Sequence, residues 1–135
     1  MAKESGLGWT TASRDDSGGT LRALVNDVTN LEFSIPRNMQ DVTGINLSAI
    51  ERLVLLGDYQ STWTGVFNDA VNTAHDVHKT VGSADVIRSE SLVISGQTLN
   101  NEVWLTDYAM TRAATGEFTW SGPAVLAGGV DPTWS

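Results

Sequence analysis

Short runs of alternating apolar and polar residues, separated by glycine, are the feature of this sequence that most limits its fold. Between residues 28 and 35, Leu31, Phe33 and Ile35 alternate with polar residues, and the pattern returns at residues 59–67. A period of two places successive side chains on opposite faces of an extended strand. Glycine recurs between such runs, where an all-β domain has its turns. The sequence therefore predicts a mainly β domain, as a sandwich or barrel.

The same reasoning predicts strands toward both ends of the chain. The further predicted strands are residues 6–13, 20–25, 40–43, 86–94, 99–113 and 117–127. The polar residues 14–19 predict the turn of a hairpin between the first two of these strands. Pro36 ends the run at 28–35, because proline has no amide hydrogen to donate to a central ladder. By the same argument, Pro123 predicts an edge position or a bulge late in the last strand.

Two segments are predicted as helices on less regular patterns. Residues 70–80 are predicted to form a flanking helix that Asn68 or Asp69 caps, with Ala74, Val77 and Val81 facing inward. Residues 49–56 are predicted as a possible short helix. Ser48 and Glu51 have the spacing of a capping box there, and Ile50, Leu53 and Val54 share one helical face. A buried apolar loop at 49–56 is the alternative.

Composition limits the class of protein. The 135 residues suit one domain, predicted as 1–135 with a hairpin loop at 14–19 and an extended arm at 128–135. The chain has no cysteine and no apolar run of the roughly 20 residues that cross a bilayer, and its start lacks the pattern of a signal peptide. We therefore expect folding in the cytosol and no membrane partner.

The charge balance is acidic, with 16 Asp and Glu against 8 Lys and Arg and a net charge of -8. This sign opposes tight binding to DNA phosphates, which requires clustered cations. The acidic residues are scattered, which suits either simple solubility or a surface along which DNA slides without adhering.

Residues that could perform chemistry are few. His75 and His78 are three residues apart in the predicted helix, a spacing that could supply two metal ligands. A structural zinc site needs four ligands, and the sequence marks no others, so we expect two half-exposed helix residues instead. No nucleophile elbow or phosphate-binding loop is present. We expect no metal, no cofactor and no enzyme activity.

Two of the five tryptophans, Trp9 and Trp134, lie near the termini. Aromatic residues are enriched at protein interfaces, so both are candidates for contacts between copies of the chain. Ordinary packing over the end of a barrel is an equal alternative for these two residues. For Trp134, in the predicted arm, we expect either a loose side chain or one docked on a neighbouring copy.

Several segments, in this order, resemble the tail tube (major tail protein) family of long-tailed phages. They are GLGWTT at 6–11, DDSGG at 15–19, DVTG at 41–44, WTGVFN at 63–68, the helix at 72–80, the three late strands and PTWS at 132–135. The opening and the ending are most similar to major tail proteins of actinobacterial siphophages. The resemblance extends over nearly the whole chain.

This resemblance implies a β-sandwich or barrel tail-tube fold with one flanking helix. It also implies a structural virion protein whose copies close into hexameric rings that stack into a hollow tube for genome delivery. The expected partners are other copies, a tape measure protein in the lumen, tail terminator and baseplate proteins, and double-stranded DNA in transit. The expected location is the virion tail, assembled in the host cytoplasm.

In such a tube, Ile50, Leu53 and Val54 join Trp9 and Trp134 as candidate subunit contacts. Asn30, Glu32 and Ser34, the polar face of the strand at 28–35, are the candidate lumen lining, although the same alternation also describes an outer surface in solvent. A second class of function stays open, namely a monomeric β-sandwich that serves as a decoration or adhesin-type binding module.

Overall fold

Antiparallel strands make up most of the structure, a computed structural model that describes residues 3–135. A 3-10 turn at Gly6–Gly8 precedes the first strand. The elements in chain order are β1 (Trp9–Asp15), β2 (Leu21–Ala23), β3 (Val28–Ser34), β4 (Arg37–Asp41), β5 (Arg52–Gly57), β6 (Gln60–Val66), α1 (Ala74–His78), β7 (Arg88–Ile94), β8 (Gln97–Leu105), β9 (Ala109–Arg112) and β10 (Phe118–Leu126). The predicted mainly β fold class is confirmed.

Eight of these strands form one antiparallel sheet in the order β2-β1-β7-β8-β10-β6-β3, with β9 paired to β10. The sheet does not close. It curls far enough that Trp9 of β1 meets Phe33 of β3, the opposite end strand, with ring centroids 5.9 Å apart. The core fills the inside of this curl. β4 and β5 pair only with each other, as a separate two-stranded sheet.

The alternation in the sequence decides which side of each strand faces the core. In β6, Trp63 is fully buried and its neighbour Thr62 is exposed. In β3, Leu31 and Phe33 pack against the core while Glu32 is exposed. Ile35 lies beyond the end of β3 and is exposed, so its predicted inward orientation is wrong.

The prediction that Pro123 lies at an edge or a bulge is wrong, since β10 is an interior strand between β6 and the pair β8 and β9. The reason is a break on one side of β10: β8 pairs from Ala124 onward and β9 pairs up to Ser121. The carbonyl of Pro123 accepts from the amide of Thr106 in this break, at 3.1 Å. Because N and C=O of an extended residue point to the same side, the missing N–H faces the break.

The same break divides the segment 99–113, which was predicted as one strand. β8 ends at Leu105 and β9 begins at Ala109. Between them, the carboxylate of Asp107 accepts from the amide of Tyr108 at 2.8 Å. Within β8, neighbouring residues face opposite sides of the sheet: Val103 is fully buried and Trp104 is 39% exposed.

The prediction of a helix, or a buried loop, at 49–56 is wrong. The segment enters β5, an exposed strand that pairs with β4. The proposed capping box does not form, because the amide of Glu51 donates to the hydroxyl of Thr43 at 2.8 Å and its carbonyl accepts from the amide of Val42 at 2.9 Å. These contacts with the preceding strand hold residue 51 in an extended ladder.

The flanking helix is present but shorter than the predicted 70–80. α1 has five residues, with Ala74 and Val77 buried as expected. Its capping group comes from a distant loop: a carboxylate oxygen of Asp27 accepts from the amide of Ala74 at 3.2 Å and the other accepts from the side chain of Asn68 at 2.8 Å. The predicted caps are wrong, because the N-cap residue is Thr73 and not Asn68 or Asp69, although the backbone carbonyl of Asn68 accepts from the amide of His75.

Candidate functional site

The most unusual surface of the molecule is β4, β5 and the loop between them, residues 37–57, which we call the apolar hairpin. Its exposed apolar side chains are Met39, Ile45, Leu47, Ile50, Leu53, Val54, Leu55 and Leu56. Ile45 at the tip is 108% exposed and Leu56 is 81% exposed. Soluble monomers rarely expose apolar side chains contiguously, and such a patch marks an interaction surface.

Few contacts hold the apolar hairpin to the rest of the chain. At its base, the amide of Asp58 donates to the carbonyl of Pro36 at 3.0 Å. Arg37 lies 3.5 Å from Asp131, an exposed ion pair that contributes little to stability. Arg37 also donates to the carbonyl of Leu55 at 2.9 Å, within the hairpin. An isolated two-stranded hairpin is marginally stable in water, so this one would gain from being covered.

The apolar hairpin is also electrically neutral. It carries two basic residues, Arg37 and Arg52, and two acidic residues, Asp41 and Glu51, which sum to zero, whereas the whole chain has a net charge of -8. Its loop from 42 to 50 has no charged residue. Another copy of this acidic chain can therefore approach the hairpin without bringing carboxylates together.

The candidate contacts Ile50, Leu53 and Val54 all lie on this hairpin and are 61%, 52% and 57% exposed. The structure thus places them where another copy could reach them. Leu53 and Val54 lie on the strand β5, and Ile50 lies in the loop before it, rather than on a helix. The other two candidates, Trp9 and Trp134, lie elsewhere: both rings pack on Phe33, each at a centroid distance of 5.9 Å.

The C-terminal arm is docked on its own chain. Trp134 forms an isolated bridge with Leu99, and Ser135 exchanges two backbone hydrogen bonds of 2.9 Å with Thr98. The expectation of a loose Trp134 is therefore wrong, and docking on a neighbouring copy stays a prediction for this side chain, which remains 42% exposed. Exposure of one side of the ring leaves it available to a second partner.

The outward side of the sheet forms a polar face across β7, β8, β10, β6 and β3. The cross-strand register aligns its rows, such as Glu32 with Thr62 and Thr62 with Pro123. The residues of this face are Asn30, Glu32, Ser34, Gln60, Thr62, Thr64, Val66, Ser89, Ser91, Val93, Thr98, Asn100, Glu102, Trp104, Thr119, Ser121, Pro123 and Val125. Hydroxyl and amide groups dominate this set, two of its members are glutamates, and it contains no lysine or arginine.

The three candidate lumen residues lie on one face of β3. Asn30 is opposite Thr64, Glu32 is opposite Thr62 and Ser34 is opposite Gln60, all in rows of the polar face. Glu32 and Ser34 also line a shallow groove of this face, and Asn30 borders a second groove at the free edge of β3.

A buried polar cluster lies inside the sheet and was not predicted. Arg14 and Glu90 are both fully buried, with Nε and Nη2 of Arg14 each 2.8 Å from Oε1 of Glu90. Tyr59 donates to Oε2 of Glu90 at 2.6 Å, and the hydroxyl of Ser61 lies 2.9 Å from Oε1. The guanidinium also lies over the ring of Trp63, at 4.0 Å from its centroid. The charges are thus paired and hydrogen-bonded, as burial requires.

His78 completes this cluster, and it is fully buried rather than half-exposed as expected. Its Nδ1 lies 2.7 Å from the carbonyl of Ala74 and its Nε2 lies 3.0 Å from Nη1 of Arg14. Since a carbonyl and a guanidinium have fixed roles, Nδ1 carries the proton and Nε2 accepts. Burial, and then the charge of Arg14, lower the pKa of His78 to about 3, so the ring is neutral at physiological pH.

The buried cluster does not have the properties of an active site. Burial raises the pKa of Tyr59, with the charge of Glu90 adding to the effect, so the phenol stays protonated. Burial lowers the pKa of Arg14 and Glu90 opposes that change, but an arginine remains charged in proteins. Arg14, His78 and Glu90 are buried, and no substrate can reach them. The cluster positions β1, β6, β7 and α1 against one another.

Over residues 3–135, no three His, Asp or Glu side chains come together as a metal site would require. In the same range, no helix has the length and apolar character needed to cross a membrane. His75, the partner of His78 in the considered ligand pair, instead lies 3.1 Å from the hydroxyl of Tyr108 through its Nδ1. The two histidines differ in their hydrogen-bond partners, although both rings lie against Tyr108.

Comparison with known proteins identifies the fold. No protein-family model and no curated protein matches the sequence. A chain of the structure described as the virion of a native gene transfer agent particle superposes with a TM-score of 0.77 at 14% identity, over 98% of this chain and 99% of that one. A chain of the tail of an empty gene transfer agent particle, computed with helical refinement and C6 symmetry, gives 0.75 at 15% identity, over 98% of each chain. At these identities the likeness shows the fold alone, and this chain has the fold of a phage-like tail protein.

Proposed function

We propose that this protein is a structural subunit of a phage-type tail tube. Its copies close into hexameric rings, and the rings stack into a hollow conduit through which the genome is delivered. This is the function of the long-tailed phage tail tube family that the sequence resembles. The likeness to a chain of a gene transfer agent tail with C6 symmetry, along 98% of both chains, supports it.

The observation that carries the proposal is the apolar hairpin. A monomer in water would expose eight large apolar side chains on one thin, neutral projection. Burying each such side chain is worth about 1.5–3 kcal/mol, a driving force that only a partner can supply here. Contacts that join one patch to a different patch on the next copy generate rings when the rotation closes.

We propose that the polar face lines the lumen, with Asn30, Glu32 and Ser34 on it. Two glutamates with no cation among hydroxyl and amide groups suit the passage of DNA, because phosphates find no lysine or arginine to bind. The tape measure protein would occupy the same lumen before ejection, and tail terminator and baseplate proteins would cap the ends. The protein would be located in the virion tail, after assembly in the host cytoplasm.

Assembly can be tested with the double variant Ile50→Asp/Leu53→Asp on the apolar hairpin. If each side chain is buried between copies, the two changes together remove at least about 3 kcal/mol of association free energy, which raises the concentration needed for assembly more than about 100-fold. Light scattering after size exclusion and negative-stain microscopy measure this. Because both side chains are exposed in the subunit, thermal unfolding of the monomer should change little.

Val71→Asp is the matched control, since Val71 is 80% exposed outside the hairpin. Equal assembly by the double variant and the control would exclude the hairpin as a contact. A wild-type protein that stays monomeric at every salt and protein concentration would exclude the tube and favour the decoration or adhesin-type module.

A further inference from the structure

A groove runs along the seam where the curled sheet fails to close, between β1 and β3. We call it the seam groove; it has a volume of about 250 Å³. Its lining residues are Gly6, Trp9, Ala12, Val25, Val28, Thr29, Asn30 and Leu31. Half of these residues are large apolar ones, and Val25 is 44% exposed at the rim. The groove is therefore an apolar channel that opens to solvent.

Unpaired strand edges border the seam groove on both sides. β3 is an end strand of the sheet and pairs only with β6. β1 pairs with β2 only from Ser13 onward, so the part from Trp9 to Thr11 is paired on one side, with β7. Free edges of this kind invite pairing with another chain, and natural proteins usually cover or charge them.

The seam groove carries no charge, since none of its lining residues is ionisable. In a chain with a net charge of -8, an apolar and neutral groove is a place where a second acidic copy can bind without carboxylate repulsion. The tip of the apolar hairpin has the same character. Residues 42–50 are uncharged, and Ile45, Leu47 and Ile50 project from them with exposures of 108%, 46% and 61%.

From this match we propose that the seam groove of one subunit receives the tip of the apolar hairpin of a second copy. Ile45, Leu47 and Ile50 fill the space over Trp9 and Leu31. This proposal rests on the proposed function and specifies which two surfaces meet. It makes the contact heterologous, because the hairpin and the groove are different patches, and each subunit offers one of each, as a ring or a stack requires.

Site-directed crosslinking tests the contact, and the absence of cysteine from the chain makes every introduced thiol unique. Ile45→Cys protein carrying a mass tag is mixed with Thr29→Cys protein and treated with a short bismaleimide under assembly conditions. Because the two thiols are on separate chains, a heterodimer reports contact between copies. Met110→Cys replaces Thr29→Cys as the control, since Met110 is 46% exposed on β9, which β10 and β6 separate from β3.

We expect the heterodimer with Thr29→Cys to exceed the control by roughly fivefold or more, because docking raises the effective concentration of the two thiols. Asn30→Cys, also in the groove, should behave like Thr29→Cys and guards against a local defect at position 29. If particles form but both groove thiols crosslink no better than Met110→Cys, the proposed contact is overturned. The proposed tail-tube function would stand in that case. Failure of wild type to assemble would overturn both.

Discussion

The burial of His78 makes the stability of the subunit sensitive to mild acid. The ring has an ordinary pKa of 6.5 when the chain is unfolded and a pKa of about 3 in the folded protein. A depressed folded pKa means that the unfolded chain takes up a proton first as the pH falls. The stabilisation is therefore complete above the unfolded pKa and is lost progressively as the pH falls from 6.5 toward 3.

The size of the effect follows from these two pKa values. Between pH 7.5 and pH 4.5, proton uptake by unfolded His78 lowers the free energy of unfolding by about 2.7 kcal/mol. A folded pKa one unit higher changes this figure by only about 0.2 kcal/mol, because pH 4.5 lies above both values. Hydrogen bonds lower the folded pKa values of Asp16, Asp41 and Asp76, but these groups add little over this range, because the unfolded carboxyls are also mostly ionised at pH 4.5.

The comparison variant is His78→Gln, which keeps an acceptor for Arg14 but does not titrate. It loses the ring contacts with Trp120 and Tyr108, at 4.7 and 5.3 Å between centroids, so we expect it to be less stable at pH 7.5 by about 1–3 kcal/mol. Its stability should then fall by about 2.7 kcal/mol less than that of the wild-type histidine over the same pH range. His75→Gln is the matched control and should keep the steep dependence, because His78 is intact.

Urea unfolding, followed by tryptophan fluorescence at four pH values, measures these differences. The Ile50→Asp/Leu53→Asp background is used at low protein concentration, where light scattering checks that the subunit is monomeric, so that association does not contribute to the apparent stability. The reasoning is refuted if His78→Gln and its parent lose the same stability between pH 7.5 and pH 4.5. That result would mean that water or a side-chain movement accommodates the imidazolium in the folded state.

Two further substitutions test the core. Gly65→Ala should destabilise the subunit by about 3 kcal/mol or more in urea unfolding, since a Cβ there would lie 1.9 Å from the carbonyl oxygen of Asp27. The control Gly82→Ala has open space around its Cβ and should change stability by less than about 0.5 kcal/mol. Glu90→Gln should lower the free energy of unfolding by about 3–5 kcal/mol in the same measurement, because it leaves the charge of Arg14 buried without its counter-ion. A decrease below about 1 kcal/mol would contradict a cluster from which water is excluded.

The parts of the fold that the sequence predicts well are those in which side-chain alternation matches burial. The strands β3 and β6 follow from the alternation around Phe33 and Trp63, because one face of each strand lies against the core. The turn at Ser95 and Gly96 follows from glycine, which here has a φ of 81°. These signals are local, so a reading of neighbouring residues detects them.

The apolar hairpin was mispredicted because its residues do not serve the core of their own subunit. Ile50, Leu53 and Val54 have the spacing of a helical face, yet no buried surface in the subunit selects that face. Their strand conformation depends on pairing with residues 37–41, such as Met39 opposite Val54. Where both faces of a segment are exposed, the hydrophobic pattern does not reflect burial in the subunit's own core, and periodicity no longer identifies the secondary structure.

The buried cluster was missed for a different reason. Arg14 was placed in a polar turn, as charged residues usually are, and Glu90 lies 76 positions away along the chain. Alternation from Trp9 gives no signal, because an odd spacing of five residues places Trp9 and Arg14 on opposite faces of a regular strand, and an irregularity between Trp9 and Thr11 is what turns both inward. Only the antiparallel register, which sets Arg14 opposite Glu90, turns the two charges into a pair. Register between distant strands is not encoded in a local pattern.

The usual polarity is inverted in two places of this molecule: apolar side chains are exposed on the apolar hairpin, and an ion pair is buried in the core. The proposed assembly gives both a common rationale. A buried ion pair is weak support for stability, because apolar residues of equal volume often do as well. Its geometric demand is strict, however: a slip of one residue in the β1–β7 register would turn Arg14 away from Glu90. Between Thr11 and Trp9 the pairing shifts by an irregularity, and Trp9 then packs on Phe33 beside the seam groove. In the proposed assembly, the apolar surfaces that bind other copies must lie at fixed positions. The buried ion pair constrains the β1–β7 register more strictly than hydrophobic burial alone would.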